Sequence, residues 1–116
     1  MSRRRILLVD DDEAVLTYLR AKLGARYDLL TTREPHDVLE MAREGRPDLI
    51  LCDIDMPGMD GGDVSAALYA DDTTRAIPVL CLSALLPESG QVGGRHAVSK
   101  NAPVEELVKR IDALLG

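Results

Sequence analysis

The sequence predicts an α/β protein, a doubly wound parallel sheet of five strands forming one domain over residues 1–116. Two observations predict it. Short runs that are apolar throughout alternate with segments of helical period, as in a sheet covered on both faces. Acidic, hydroxyl and lysine side chains stand just after several of those runs, where such folds place their ligand chemistry.

The elements follow in order. Arg5 to Val9 reads as a buried strand. Asp12 to Leu23 reads as a helix with Val15, Leu16, Leu19 and Leu23 on one face and Gly24 as its stop. Tyr27 to Thr31 is a second strand, and Glu34 to Glu44 a second helix with Pro35 in its first turn and Gly45 past its end. Asp48 to Cys52 is a third strand, followed by a turn-rich loop from Asp53 to Gly62 and a third helix from Asp63 to Ala70. Ile77 to Leu82 is the fourth strand and Ala97 to Ser99 a short fifth. The last helix runs from Pro103 to Leu115, with Val104, Leu107, Val108, Ile111 and Leu115 inward. Five strands in this length fit the flavodoxin-like order 2-1-3-4-5.

Composition narrows the function. With 14 Lys+Arg against 20 Asp+Glu the formal net charge is −6, and three Tyr are the only aromatic residues. That balance opposes direct nucleic-acid binding. The longest uncharged stretch, Ala76 to Pro87, is too short to span a bilayer. Arg3, Arg4 and Arg5 precede only a short apolar run, which argues against a signal peptide and reads as a solvated start. Cys52 and Cys81 lie in apolar runs without metal-ligand spacing and are expected as buried free thiols in a reducing, cytoplasmic setting. His36 and His96 lack further ligands nearby and read as surface residues.

The strand ends carry the chemistry. Asp10, Asp11, Asp12 and Glu13 follow the first strand, Asp53 and Asp55 the third, Ser83 the fourth and Lys100 the fifth. Asp12 and Glu13 are ordinary N-cap and first-turn acids. If the first and third strands are neighbours, Asp10, Asp11 and Asp53 converge, and carboxylates so placed either take up protons or recruit a cation. Oxygen ligands alone suit a hard ion such as Mg²⁺. Ser83 and Lys100 opposite them would complete an anion site, an arrangement for phosphoryl transfer onto a carboxylate. Each feature has a plain reading as loop or turn chemistry; their joint position at strand ends is what singles them out.

These residues resemble the receiver domain of two-component response regulators, and the likeness covers essentially the whole chain. It rests on Ile-Leu-Leu-Val-Asp-Asp-Asp-Glu (6–13), on Asp-Leu-Ile-Leu-Cys-Asp-Ile-Asp-Met-Pro-Gly-Met-Asp-Gly (48–61), on Ile-Pro-Val-Leu-Cys-Leu-Ser-Ala (77–84) and on Lys100. The resemblance implies that Asp53 is a phosphoacceptor supplied by a histidine kinase, a histidine phosphotransfer protein or a small phosphodonor. It implies Mg²⁺ held by Asp11, Asp53 and the backbone carbonyl of Asp55, with Asp10 acting through a metal-bound water. Ser83 and Lys100 would then contact the phosphoryl group, and the signal would pass by docking to a downstream protein. Such a domain catalyses at most its own phosphorylation and dephosphorylation. The charge of Asp55, two residues past the phosphoacceptor, is expected to alter the dephosphorylation rate.

Three positions depart from the family pattern. Asn101, not Pro, follows Lys100; Ala97 stands where an aromatic residue is usual; and only 17 positions separate Ser83 from Lys100. Pro87, Gly90, Gly93 and Gly94 argue against a regular helix between the fourth and fifth strands, so a shortened, irregular or mobile segment is expected there. All three departures fall on the family's usual output and dimerisation face, so a monomer or weak dimer is expected, with altered readout. The chain ends one residue after the last predicted helix, as expected of a receiver without an output domain, whether it stands alone or is cut from a larger regulator or hybrid kinase. Two other classes compete. One is a pseudo-receiver, an interaction module independent of phosphate. The other is a haloacid-dehalogenase-like phosphatase, suggested by Asp53-Ile54-Asp55 but opposed by the chain's length and by that motif following the third strand.

Overall fold

The computed structural model describes residues 3–54, 61–83, 90–92 and 95–116. The strands are β1 (Arg5–Val9), β2 (Asp28–Thr32), β3 (Leu49–Asp53), β4 (Val79–Ser83), β5 (Gly90–Val92) and β6 (Arg95–Ser99). The helices are α1 (Glu13–Leu23), α2 (Val38–Gly45), α3 (Gly61–Ala70) and α4 (Val104–Leu115). They form one sheet in the order β2-β1-β3-β4-β6-β5. The first five strands of that order are all parallel, and they are the expected 2-1-3-4-5 arrangement, with β6 as the anticipated fifth strand.

Successive side chains of a strand point to opposite faces, and the central strands are apolar on both. On one face Leu16, Leu19 and Leu23 of α1 and Leu107 and Ile111 of α4 pack on Ile6, Leu8, Leu49, Leu51, Leu80, Leu82 and Val98. On the other, Val38 and Ala42 of α2 and Val64 and Leu68 of α3 pack on Leu7, Val9, Ile50 and Cys52. No aromatic ring is needed, except that Tyr27 joins the first cluster. Cys52 and Cys81 are buried thiols outside any disulfide, paired in register on β3 and β4.

Several boundaries move by a residue or two, each for a local reason. Asp12 is the N-cap of α1 and accepts from the Ala14 amide, so the helix starts at Glu13. The second helix opens as a 3₁₀ turn, Pro35–Asp37, capped by Glu34 through the His36 amide, before α2 proper. Gly45 lies inside α2, and Arg46 takes the left-handed position, φ 46°, beyond it. A Cβ at 45 would stand 2.5 Å from Leu30 Cδ1, so the end of the Leu30 side chain would have to move aside for any larger residue. Asp53 and Ser83 are the last residues of their strands, not the first of loops.

The segment between β4 and β6 is the one expected to be shortened, irregular or mobile in place of a regular helix, and residues 84–89 and 93–94 of it lie outside the described residues. Its described part is the strand β5, antiparallel to β6 with Val92 opposite Arg95 and Gly90 opposite Ala97. Among the described residues no helix lies between Ser83 and Arg95. The geometry explains why. Two parallel neighbours need the chain to travel back along the sheet, and an extended strand covers about 3.3 Å per residue against about 1.5 Å for a helix. The extended residues Gly90–Val92 suit a connection of few residues.

Arg3 and Arg5 also do more than sit in solvent. Arg3 donates to the carbonyls of Gly24 and Tyr27, and Arg5 Nη1 donates to the Gly45 carbonyl at 2.7 Å. Those are orphan carbonyls at and beyond the ends of α1 and α2, where a cation is favoured by the helix dipole.

Candidate phosphoacceptor site

The site is made by strand order. β1 and β3 are neighbours, with Val9 opposite Cys52, so Asp10 and Asp53 emerge side by side. Oxygen atoms of Asp10, Asp11 and Asp53 all lie within 4.8 Å of one another. Asp10 and Asp53 are buried, at 1% and 2% exposure, while Asp11 is intermediate.

Lys100 enters from the end of β6. Its Nζ lies 2.9 Å from Asp10 Oδ2 and 3.3 Å from Asp53 Oδ2. Burial pulls the pKa of this ammonium down, but its hydrogen bonds and charge contacts with Asp10 and Asp53 outweigh that and raise it above the ordinary lysine value. The backbone places it: the Lys100 amide donates to the Ser83 carbonyl at 2.9 Å, and the Asn101 amide donates to Ser99 Oγ at 3.1 Å. Proline at 101 would lack that donor. No cis peptide occurs among the described residues, so the Lys100–Asn101 bond is trans.

The β1–α1 loop is fixed by three bonds. The Asp10 amide donates to Thr32 O at 3.2 Å, the Asp12 amide to Asp10 Oδ1 at 2.9 Å, and Arg33 Nε to Asp11 O at 3.1 Å. Sequence reasoning missed Arg33, because an exposed arginine after a strand carries no pattern of its own.

The structure thus brings Asp10, Asp11, Asp53 and Lys100 together, with Ser83 buried at the adjacent strand end. Asp55, with Met56 and Met59, lies outside the described residues. The donor set fits a hard divalent cation. Three carboxylates against one ammonium leave two negative charges uncompensated, and Asp10 Oδ2 is buried with no well-aligned hydrogen bond besides its ion pair. A mainly apolar cleft of about 220 Å³ adjoins Lys100, between Val15, Tyr18 and Leu19 of α1 and Ala102, Val104 and Leu107. No described helix is long and apolar enough to cross a membrane.

Comparison with known proteins agrees with this geometry. A sequence profile of the response regulator receiver domain matches residues 6–112. The response regulator PleD of Caulobacter vibrioides is 45% identical over 112 residues, covering 96% of this chain and 24% of PleD. The chain therefore spans about a quarter of that relative's length. The polar-differentiation response regulator DivK of Brucella anthropi is 34% identical and covers 97% of both chains. In fold, the receiver domain of sensor histidine kinase PA1611 from Pseudomonas aeruginosa PAO1, whose crystal structure has a magnesium ion coordinated in the active-site cleft, superposes with a TM-score of 0.87. It is 24% identical, and the match covers 99% of each chain.

Proposed function

We propose a function from one premise: the chain belongs to the response regulator receiver domain family of two-component signalling, a family of signalling modules, not classical enzymes. The proposed role is that of a phosphoacceptor whose state is read by protein docking. The observation that carries it is the convergence of Asp10, Asp11 and Asp53 on one side of Lys100.

Asp53 is the proposed nucleophile. One of its carboxylate oxygens attacks the phosphorus of a phosphohistidine on a kinase or phosphotransfer protein. The new O–P bond forms as the P–N bond breaks, and the imidazole nitrogen leaves with the electron pair. The Lys100 ammonium, 3.3 Å from Asp53 Oδ2, is placed to balance the charge of the attacking carboxylate. Asp10, Asp11 and Asp53 are the described side chains that would hold Mg²⁺, with the Asp55 carbonyl proposed as a further ligand. When bound, the ion supplies charge neutralisation at the phosphoryl oxygens. The coordinated magnesium of the PA1611 receiver domain supports this assignment by analogy. Lys100 is proposed to shift its contacts from Asp10 and Asp53 toward the added phosphoryl group. Ser83 is proposed to hydrogen-bond that group and pull the end of β4 inward. The cleft beside Lys100 offers apolar surface for the phosphodonor. The two buried thiols, outside any disulfide, support a cytoplasmic setting.

The test is intact-mass spectrometry after incubation with Mg²⁺ and acetyl phosphate. The expected result is a gain of one phosphoryl group, absent in Asp53→Ala and absent with a chelator. No gain with acetyl phosphate or with a competent histidine kinase would replace this reading with a phosphate-independent interaction module.

A further inference from the structure

Arg33 is an exposed residue just beyond the end of β2, and none of the roles above uses it. Its Nε donates to the carbonyl oxygen of Asp11 at 3.1 Å. Asp10 is fixed by burial, by its amide bond to Thr32 and by the bond its carboxylate accepts from Asp12. Asp53 is fixed at the end of a fully buried strand. Asp11 is the half-exposed member of the three, and no described hydrogen bond or ion pair holds its carboxylate. Among the described residues, the hydrogen bond from Arg33 is the one that ties the Asp11 carbonyl to the β2 side.

We propose that Arg33 is a positioning residue for the divalent-cation site. By holding the Asp11 carbonyl it keeps the Asp11 carboxylate turned toward Asp10 and Asp53, so that the free protein already has the convergent acid set. The inference rests on the reading of that set as a cation site. It also separates two physical effects of one side chain. As a hydrogen-bond donor, Arg33 preorganises a ligand and should strengthen cation binding. As a positive charge at the rim, it should weaken binding slightly, because an exposed charge is heavily screened. The donor effect is the larger one here.

Side-chain chemistry allows the two effects to be taken apart. Glutamine carries its Nε2 the same number of bonds from the backbone as arginine carries Nε. Arg33→Gln therefore keeps a donor at that reach without the charge, while Arg33→Met keeps the length and loses both. The experiment is calorimetric titration of the wild-type protein, R33Q and R33M with Mg²⁺ alone. Native-state hydrogen exchange at the Asp11 and Asp12 amides is followed in chelator, and far-UV circular dichroism confirms the fold. The expected result is about five-fold weaker Mg²⁺ binding in R33M, the scale of one lost hydrogen bond. Faster exchange at those amides should accompany it, with R33Q within about two-fold of wild type on the same scale. Binding in R33M equal to or tighter than wild type would overturn the proposal, as would R33Q weakened as much as R33M. A wild-type protein that binds no Mg²⁺ would instead overturn the cation-site reading, and this inference with it.

Discussion

The two ends of the sheet treat charge in opposite ways. At the carboxyl ends of the strands, Asp10 and Asp53 are buried and three carboxylates share one ammonium. At the amino ends charge is abundant and matched, in exposed pairs of Arg3 with Asp28, Arg4 with Asp48 and Arg26 with Asp112, and in the half-buried pair of Arg43 with Asp71. There the arginines also close helix ends through the Gly24 and Gly45 carbonyls. The matched end can lose any one pair at small cost, because exposed ion pairs contribute little. The other end stays short of positive charge while folded, a state that proton uptake or a bound cation would relieve. Matched and unmatched charge occupy different ends of one sheet.

The sharpest way to break that contrast is Lys100→Met, which leaves two buried carboxylates without their ammonium. It should lower stability by about 3 kcal/mol in chelator, read from urea unfolding, and saturating Mg²⁺ should recover part of the loss. No recovery would mean that the carboxylates do not share a cation. In wild type the contribution of Lys100 carries a definite sign with pH. Its pKa is raised on folding, so its stabilisation is complete below the ordinary lysine value and fades only as pH climbs past that.

Tyr27 tests the opposite end. Its hydroxyl donates to Asp112 Oδ1 at 2.7 Å, and burial, then that carboxylate, push its pKa up to about 12. Tyr27→Phe should cost about 1 kcal/mol and remove the tyrosinate absorbance that appears near pH 12 in wild type. The tyrosine's stabilisation should hold below about pH 10 and decline as pH rises toward 12.

The smallest effect belongs to Asp71. Hydrogen bonds from Arg43 and Thr73 hold its carboxyl down to about 2. Its stabilisation is therefore present above the unfolded value near ~4 and is lost as pH falls to about 2. Asp71→Asn should match wild type at the acid limit and fall slightly behind above that window, in acid-unfolding curves at fixed temperature.

Much of this was legible in the residues. Asp10, Asp53, Ser83 and Lys100 declare themselves because each terminates an apolar run, and strand order in a parallel sheet then brings such termini together. Runs like Ile6 to Val9 and Leu49 to Cys52 fix the strands because nothing in them alternates, which only burial on both faces explains. Three features were hidden. The roles of Arg3, Arg5 and Arg33 depend on carbonyls far away in sequence. Gly45 looks like a helix stop, and only the structure shows that it lies inside α2 with the end of Leu30 packed close to it. Strand β5 was obscured by glycine and proline density, although Gly93-Gly94 between Val92 and Arg95 is a hairpin signal that could have revealed it.

The strand return also bears on how the chain folds. In a sheet joined wholly by helical crossovers, each new strand must find its neighbour across a long loop. Here β6 also pairs with the segment just before it, through contacts only a few residues apart in sequence. Hairpins of that kind close in microseconds, and low sequence separation speeds folding. The last part of the sheet can therefore assemble as a preformed unit and add to β4 in one docking step, making the shortest connection in the molecule a kinetic shortcut as well.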